Sequence, residues 1–295
     1  MSAPGDTASA AAFMQLGAMS SPGRHATLFD ALPTDVPPLA RIVQGLLLHQ
    51  HWAGAYGQML SPERTGESHI RSVEAMLDRL LVHDAAPLAL PRPPERRLVG
   101  ICRHFALLMA AMLRAKGVPA RARCGFAAYF EPGRFVDHWV CEYWNEGEGR
   151  WILADAQIDE VQGGAIEPDF DVLDVPRDRF VVAGDAWAQC RTGKSDPAAF
   201  GILDMWGLWF VAGNLLRDAA ALNGMEMLPW DVWGAMPEPG AHLTEDQHAL
   251  LDRLAALTRE PERSLAELRH LYETDERLRV PSIVFNAVLN RPETV

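Results

Sequence analysis

The amino-acid sequence predicts an α+β fold in which one central helix packs on an antiparallel sheet. Apolar side chains at three- and four-residue steps predict a helix from Cys102 to about Lys116. Short runs rich in aromatic and β-branched residues, separated by turn signals, predict three strands over 121–130, 137–144 and 150–155. Amphipathic stretches on either side of this segment predict flanking helices.

The segment before the central helix predicts a leader, two helices and a connector. Residues 1–22 are mostly small or polar, and we expect a flexible leader there. Amphipathic helices are predicted over 39–48 and 67–81. The proline-rich stretch 87–94 predicts an extended connector into the central helix. We expect these helices to belong to one core domain over 23–195.

The composition limits the classes of function. The chain has 295 residues, of which 48% are hydrophobic, and a net charge of −12 at pH 7. A non-specific binder of nucleic acid or of anionic membranes would need a basic face, so neither partner is expected. The N-terminus lacks the pattern of a secretory signal and no apolar run is long enough to span a membrane, which predicts a cytoplasmic protein. The oligomeric state is left open.

One cysteine differs from the others in its setting. The four are Cys102, Cys124, Cys141 and Cys190. None shows the C-x-x-C spacing of a zinc site, and a long chain without an export signal needs no disulfide, so we expect reduced thiols and neither metal nor cofactor. Cys102 lies at the predicted start of a helix that Gly117 and Pro119 end. Free amides and the helix dipole favour a thiolate there, which makes Cys102 a candidate nucleophile.

A histidine and a carboxylate follow Cys102 on neighbouring predicted strands. If Tyr143 pairs with Arg150 across the hairpin, His138 lies opposite Asp155 with the Cβ atoms roughly 5 Å apart. Such a pair supplies a general base and the group that orients it. A slip of one residue would place the two side chains on opposite faces.

Two neighbouring groups are poorer candidates for these roles. His104 follows Cys102 by two residues, so in a helix its side chain points roughly 200° away from the thiol. Asp137 precedes His138 and points to the other face of the strand. We therefore prefer His138 as the base and Asp155 as the orienting group.

Three motifs over about 98–157 occur in a fixed order. They read G-x-C-R-x-F-A-L-L-x-A-A-M-L-R-A-K-G-V-P-A-R, then D-H-W-V-C-E-Y-W, then R-W-I-L-A-D-A-Q. This series resembles the core of the bacterial transglutaminase-like superfamily. The resemblance implies a papain-like fold with a Cys-His-Asp triad, whose roles would fall on Cys102, His138 and Asp155.

The oxyanion that forms during attack needs hydrogen-bond donors besides the Cys102 amide. Papain-like sites draw one from an upstream segment, and Gln50 and Trp52 are the candidates here. The alternative is that these two residues only cap the first helix and pack. Trp139, beside the base, is a candidate for the wall of the substrate cleft, although a packing role is the simpler interpretation.

The triad predicts an enzyme that transfers an acyl group through a thioester on Cys102. Hydrolysis of an amide or peptide bond is the preferred reaction. A transglutaminase or amide-forming acyltransferase with an amine acceptor is the alternative, so the expected partners are a peptide or amide-bearing substrate and possibly an amine. A non-catalytic binding module that keeps the fold is a second alternative, although a scaffold has no reason to retain three buried polar side chains.

The C-terminal residues 196–295 predict a helical region packed on the core. Helical spacing of apolar residues occurs over 200–222, 249–257, 264–272 and 283–289. Thr244 begins a T-E-D-Q series typical of a capping box. The preceding stretch 158–180 is acidic but lacks the spacing of a calcium loop, so we expect a solvated loop.

Overall fold

A computed structural model describes residues 10–295 of the chain, which divide into two compact units. The first unit comprises the described residues up to Ala122 together with Val140–Val175. The second comprises Arg123–Trp139 and Pro176–Val295. Helices and strands occur in both units, so the predicted mixture of helix and sheet is confirmed.

The predicted domain boundary near residue 195 does not follow this division. Two strands, β3 (Ala120–Ala127) and β4 (Phe135–Asn145), each contribute residues to both units. The boundary between the two units therefore runs through both strands. The composition along the chain does not indicate such a boundary.

Five α-helices lie in the first unit. They are α1 (Val36–Leu46), α2 (Pro62–Gly66), α3 (Val73–His83), α4 (Cys102–Ala115) and α5 (Glu160–Ile166). The central helix α4 is confirmed, and Gly117 follows its end with a φ of 78° that suits glycine. The helix predicted over 67–81 begins only at Val73, because the side chain of Ser72 accepts a hydrogen bond from the Ala75 amide and caps it there.

Two short strands precede the central helix in the first unit. β1 (Leu47–His49) follows α1 directly and pairs in parallel with β2 (Leu98–Gly100), which leads into α4. The helix predicted over 39–48 therefore ends earlier than expected. The run of leucines at its end is buried on all sides, and such a run fits a strand as well as a helix.

The hairpin of β4 and β5 (Arg150–Ala154) corrects the predicted register. Tyr143 pairs with Ile152 rather than with Arg150, and Arg150 pairs with Asn145. The loop is shorter than predicted because the Gly149 amide bonds the Asn145 carbonyl at 2.8 Å and Gly149 takes a φ of 63°. The error is two residues, so the alternation of side chains between the two faces is preserved.

The second unit adds the strands β6 (Phe180–Val182), β7 (Phe200–Ile202) and β8 (Met205–Trp206). The strand order is β6-β3-β4-β7-β8. β7 pairs in parallel with β4, so the sheet is not wholly antiparallel as predicted. The helices of this unit are α6 (Ala183–Arg191), α7 (Leu208–Leu222), α8 (Glu245–Arg259) and α9 (Pro261–Thr274). The predicted capping box is confirmed, since Thr244 and Gln247 bond each other's amides at the start of α8.

The prediction of an all-helical region after residue 196 is wrong at two places. Residues 200–206 form the β7–β8 hairpin, which turns at Leu203 with a φ of 54°. Gly201 allows this close approach, since a Cβ there would lie 2.0 Å from the Met205 carbonyl oxygen.

The second error lies at the C-terminus. β9 (Asp231–Val232), β10 (Ile283–Asn286) and β11 (Arg291–Thr294) form a separate antiparallel sheet in the order β11-β10-β9. Residues along β10 alternate between exposed and buried, which is the period of a strand. The apolar residues over 283–289 thus begin with the two-residue period of a strand, which a turn follows. The helical period that we predicted for this segment is wrong.

Part of the predicted leader packs against the body of the first unit. Residues 1–9 lie outside the described residues. Phe13 is buried and stacks edge-on against Trp151 with ring centroids 5.5 Å apart. The guanidinium of Arg121 lies over both rings and pairs with Glu142 at 2.5 Å, so the described part of the leader is held by a buried cation. Among residues 10–295, no helix has the length and apolar character needed to span a membrane.

Candidate active site

Cys102 occupies the position that the sequence predicts for the nucleophile. It is the first residue of α4, which has 14 residues, and it is 8% exposed. The preceding residue, Ile101, is the N-cap and has no side-chain acceptor for the first amides of the helix. A negative charge that forms on the Cys102 sulfur is therefore stabilised by the dipole of a full-length helix.

His104 caps α4 and is not a base. Its Nδ1 accepts a hydrogen bond from the Ile101 amide at 3.2 Å, and its Nε2 donates to the Ile70 carbonyl at 2.9 Å. Gly100 gives the ring room, since a Cβ there would lie 3.0 Å from His104 side-chain atoms. Burial, with the nearby Arg103 charge, lowers the pKa of His104 to about 3. The ring is thus neutral and fully engaged at neutral pH.

The neutral state of His104 predicts a loss of stability in acid. Its pKa of about 3 in the fold lies below the ordinary value of 6.5, so between these values the unfolded chain binds a proton that the folded chain does not. The free energy of unfolding should therefore fall as the pH drops below 6.5, by up to about 1.4 kcal/mol per pH unit. Urea unfolding of the parent and of His104→Asn at pH 7 and pH 5 measures this contribution. An equal pH dependence in both proteins would show that His104 is not its source.

The upstream segment reaches the start of α4 through the β1–β2 pair. His49 lies opposite Gly100 in the parallel register, so Gln50 and Ile101 leave the two strands side by side. Sequence reasoning expected an oxyanion donor from this segment, and the backbone brings it to the residue before Cys102.

The side chains of the two donor candidates differ in their surroundings. Nε2 of Gln50 lies 3.2 Å from Nε2 of His51, whereas its Oε1 is buried and has no hydrogen-bond partner among residues 10–295. Trp52 is half-buried in the 3₁₀ helix Gln50–Tyr56. Gln50 keeps a second amide hydrogen for a ligand, and the oxyanion role of either residue stays a prediction.

Asp155 lies directly after β5 in the first unit and is fully buried. Its amide donates to the Val172 carbonyl at 2.7 Å, and its Oδ1 accepts from the Gln157 amide at 3.1 Å. These bonds hold the carboxylate on a short turn rather than on a free loop.

A second set of bonds ties this turn to the upstream segment within the first unit. The Tyr56 hydroxyl donates to Asp159 Oδ1 at 2.7 Å, and the same carboxylate caps α5 through the Val161 and Gln162 amides. Burial and the Asp159 hydrogen bond raise the pKa of Tyr56, so the phenol keeps its proton at neutral pH. The Gln50–Tyr56 segment is thereby bonded to the start of α5, four residues after Asp155.

His138 and Trp139 lie in the second unit, on the first half of β4. The His138 ring is 2% exposed and meets the rings of Phe130 and Phe180 at centroid distances of 4.9 and 6.3 Å. Trp139 is 1% exposed, which fits the packing role that the sequence favoured. The first unit holds Cys102 and Asp155, and their association with His138 stays a prediction.

Asp137 takes part in a separate hydrogen-bond network. This agrees with the prediction that Asp137 does not orient His138. Its Oδ1 accepts a hydrogen bond from Asn214 Nδ2 at 2.7 Å, on α7. Burial raises the pKa of Asp137, although the Arg217 charge and the Asn214 bond oppose the rise. The alternation along β4 thus separates Asp137 from the His138 face.

Glu67 binds the strand that leads to Cys102, and its role was missed from the sequence, where it is the first residue of a predicted amphipathic helix. The side chain is 4% exposed, and its Oε2 accepts the Val99 amide at 2.9 Å, three residues before Cys102. Its Oε1 accepts from Arg64 at 3.1 Å and lies 2.6 Å from His83 Nε2. No sequence signal distinguishes such a buried carboxylate from a solvated one on the same helix face.

A metal site is not formed by the side chains in the described part of the chain. Within residues 10–295, no three or more His, Cys, Asp or Glu side chains lie close enough together to hold an ion.

Comparisons with known proteins support the predicted resemblance. Residues 86–156 match the family model described as the transglutaminase-like superfamily, which confirms the resemblance for this segment. The matched residues include Cys102, His138 and Asp155. No curated protein matches the chain.

One solved structure shows a weak likeness. It is a crystal structure of a candidate cysteine protease from Cytophaga hutchinsonii, with 18% identity and a TM-score of 0.34, and the match covers 58% of this chain and 44% of that chain. The chain thus spans less than half of that protein. Because a TM-score of this size does not establish a shared fold, the papain-like arrangement of the core stays a prediction.

Proposed function

We propose that the protein is a cysteine-dependent acyl-transfer enzyme in which Cys102, His138 and Asp155 act as nucleophile, base and orienting group. The observation that carries the proposal is the position of Cys102 at the start of α4, inside the segment that matches the transglutaminase-like superfamily. The neutral, fully bonded His104 supports it further, because it removes the competing base nearest to the thiol.

The strand that carries the proposed base also supports the assignment. Cys141 pairs with Ala154, so the next step of the register sets Val140 opposite the position of Asp155. His138 precedes Val140 by two residues on the same strand, and residues two apart share a face. The corrected register is therefore still compatible with His138 and Asp155 on one face, as the proposed triad requires.

The reaction follows from these roles. His138 takes the proton of the Cys102 thiol, and the sulfur attacks the carbonyl carbon of an amide. The C–N bond breaks as the imidazolium returns the proton to the leaving amine, which leaves an acyl-thioester on Cys102. Asp155 holds the imidazole in one tautomer and stabilises its charged form. Water then gives a proton to His138 as its oxygen attacks the thioester carbonyl, the C–S bond breaks to release the acid, and the imidazolium returns the proton to the Cys102 sulfur.

We prefer water to an amine as the acceptor, and mass spectrometry tests the choice. Peptide amides are incubated with the full chain, with and without a primary amine such as methylamine. We expect the free acid in both cases and a transient acyl adduct on Cys102. No product should form with Cys102→Ser, while Cys190→Ser should retain full activity.

Two other outcomes are informative. A methylamide product that exceeds the acid would replace the hydrolase by an acyltransferase. The absence of acid, amide and adduct with every donor would favour the binding module over the enzyme.

A further inference from the structure

An open groove lies in the first unit, away from Cys102. It has a volume of about 770 Å³ and is lined by residues 34–38, 117–119 and 143–147, with Ala11 and Met14. We name it the proline groove because Pro37, Pro38 and Pro119 form much of its wall. This volume falls in the range of small-molecule and peptide side-chain sites.

The proline groove is separate from the proposed active site. Its lining includes Gly117 and Val118, which follow the C-terminal end of α4, whereas Cys102 is the first residue of that helix. A helix of 14 residues is about 20 Å long. A ligand in the groove therefore does not touch the thiol.

Asp35 presents a free carboxylate at this groove. It is the N-cap of α1, but its side chain caps nothing. An N-cap side chain accepts from the second or third amide of the helix, and these positions are Pro37 and Pro38, which have no N–H. Asp35 is exposed, and no ion pair or hydrogen bond engages its side chain within residues 10–295.

Glu146 presents a second carboxylate, and its loop offers a direct comparison. Glu148, two residues later, bonds Arg150 Nε at 2.6 Å and Asn145 Nδ2 at 3.0 Å. Glu146 lines the groove and, in the described part of the chain, makes no such bond. One carboxylate of the loop is thus used internally, while the other is left for a ligand.

No cationic side chain lines the groove among the described residues. Lys116 is the nearest in sequence, and its Nζ donates to the Asp30 carbonyl at 2.8 Å. Tyr143 and Trp144 also line the groove, but they are only 9% and 8% exposed. Burial raises the pKa of Tyr143 to about 12, so its phenol brings no negative charge of its own. Two carboxylates without a pairing cation form a setting for a basic group.

We propose that the proline groove binds a basic side chain, arginine or lysine, within an extended polypeptide segment. The carboxylates of Asp35 and Glu146 would pair with the cation, while the proline side chains would cover its aliphatic stem and its apolar neighbours. The volume exceeds the need of one side chain, which favours a segment over a free amine. The net charge of −12 further attracts a basic partner.

Fluorescence anisotropy of a labelled peptide tests the proposal without turnover. The probe is fluorescein–Ala-Leu-Arg-Leu-Ala-amide, added to the full chain carrying Cys102→Ser. We expect saturable binding that weakens at 0.5 M NaCl. At this ionic strength the Debye length is about 4–5 Å, so salt screens the attraction between the carboxylates and the peptide cation. The same peptide with citrulline, which has the shape of arginine without its charge, should bind at least about tenfold more weakly.

Matched variants locate the binding in the groove. The double change Asp35→Asn with Glu146→Gln should weaken binding of the arginine peptide at least about tenfold. Glu148→Gln, which removes one negative charge from the loop of Glu146, should leave binding within about twofold. Circular dichroism confirms that each variant is folded.

Three results would overturn the proposal. They are equal binding of the arginine and citrulline peptides, equal weakening by Glu148→Gln and by the double change, and no binding at millimolar protein. Because binding is read in the Cys102→Ser background, a failure of this site is distinguishable from a failure of the proposed catalysis.

Discussion

Iodoacetamide at pH 7 should label Cys102 about 100-fold faster than any of the other three cysteines. Access alone predicts a different order, because Cys190 is half-buried while Cys102 is 8% exposed. Burial, with the charge of Asp196 as a smaller cause, raises the pKa of Cys190 to about 11. Burial also raises the pKa of Cys141 to about 12. These two thiols carry almost no thiolate at neutral pH, whereas the helix dipole at Cys102 supports one.

The proposed role of His138 as the base is tested by the same measurement. His138→Ala should slow the labelling of Cys102 at pH 7 by about tenfold or more, with recovery at higher pH as the thiol ionises on its own. Cys190 serves as an internal reference, because at each pH its rate should be the same in the parent and in His138→Ala. Labelling of Cys190 before Cys102, or an unchanged Cys102 rate in His138→Ala, would contradict the proposed nucleophile–base pair.

The central helix and the order of the strands after it could be predicted because each had a local signal. α4 begins and ends where the apolar stripe, Gly117 and Pro119 indicated. The hairpin register could not be predicted, because it depends on how Asn145 and Gly149 close the loop, and several closures suit the same loop sequence. The error of two residues kept the faces correct, since both registers satisfy the same alternation of apolar side chains.

The strands after residue 196 were missed because of chain contacts that the sequence does not display. The three-residue spacing of Phe200, Leu203 and Trp206 is typical of a helix. These residues lie instead on a hairpin, whose strands can approach closely because residue 201 is glycine. In β10 only four residues carry the strand pattern, and a turn at Asn290 follows. Patterns this short are compatible with either period, and pairing with a distant strand decides between them.

The burial of two arginines was the other feature that could not be predicted from the sequence. Arg121 and Arg123 alternate with apolar residues along β3 and look like solvated positions on a half-exposed strand. Each is instead fully buried and meets a carboxylate that lies far away in the sequence, Glu142 for the first and Asp218 for the second. Such pairing depends on the tertiary fold, so neither composition nor periodicity indicates it.

Removing one partner of the pair of Arg123 and Asp218 should strongly destabilise the second unit. Arg123 donates from Nε to Asp218 Oδ1 at 3.0 Å and from Nη2 to Oδ2 at 2.9 Å, and both side chains have no solvent exposure. Asp218 Oδ1 also accepts the Cys124 amide at 2.9 Å, and Arg123 Nη2 donates to the Thr258 carbonyl at 2.8 Å. This network joins β3, α7 and α8.

Asp218→Ala should lower the free energy of unfolding by about 3–5 kcal/mol, because it leaves a buried guanidinium without its counter-charge. Urea unfolding of the full chain, followed by circular dichroism, measures the loss. The exposed pair of Arg150 and Asp174 provides the control, and Asp174→Ala should change the stability by less than about 1 kcal/mol, since solvent screens that pair.

A double variant separates the desolvation penalty of the buried charge from the loss of packing. Arg123→Met with Asp218→Leu removes both charges and keeps most of the volume, so it should recover about half of the loss seen in Asp218→Ala. Full recovery is not expected, because the Cys124 amide loses its acceptor in both variants. A loss below about 1 kcal/mol in Asp218→Ala would mean that water or another carboxylate reaches Arg123, and the buried network would not be what holds β3 to the two helices.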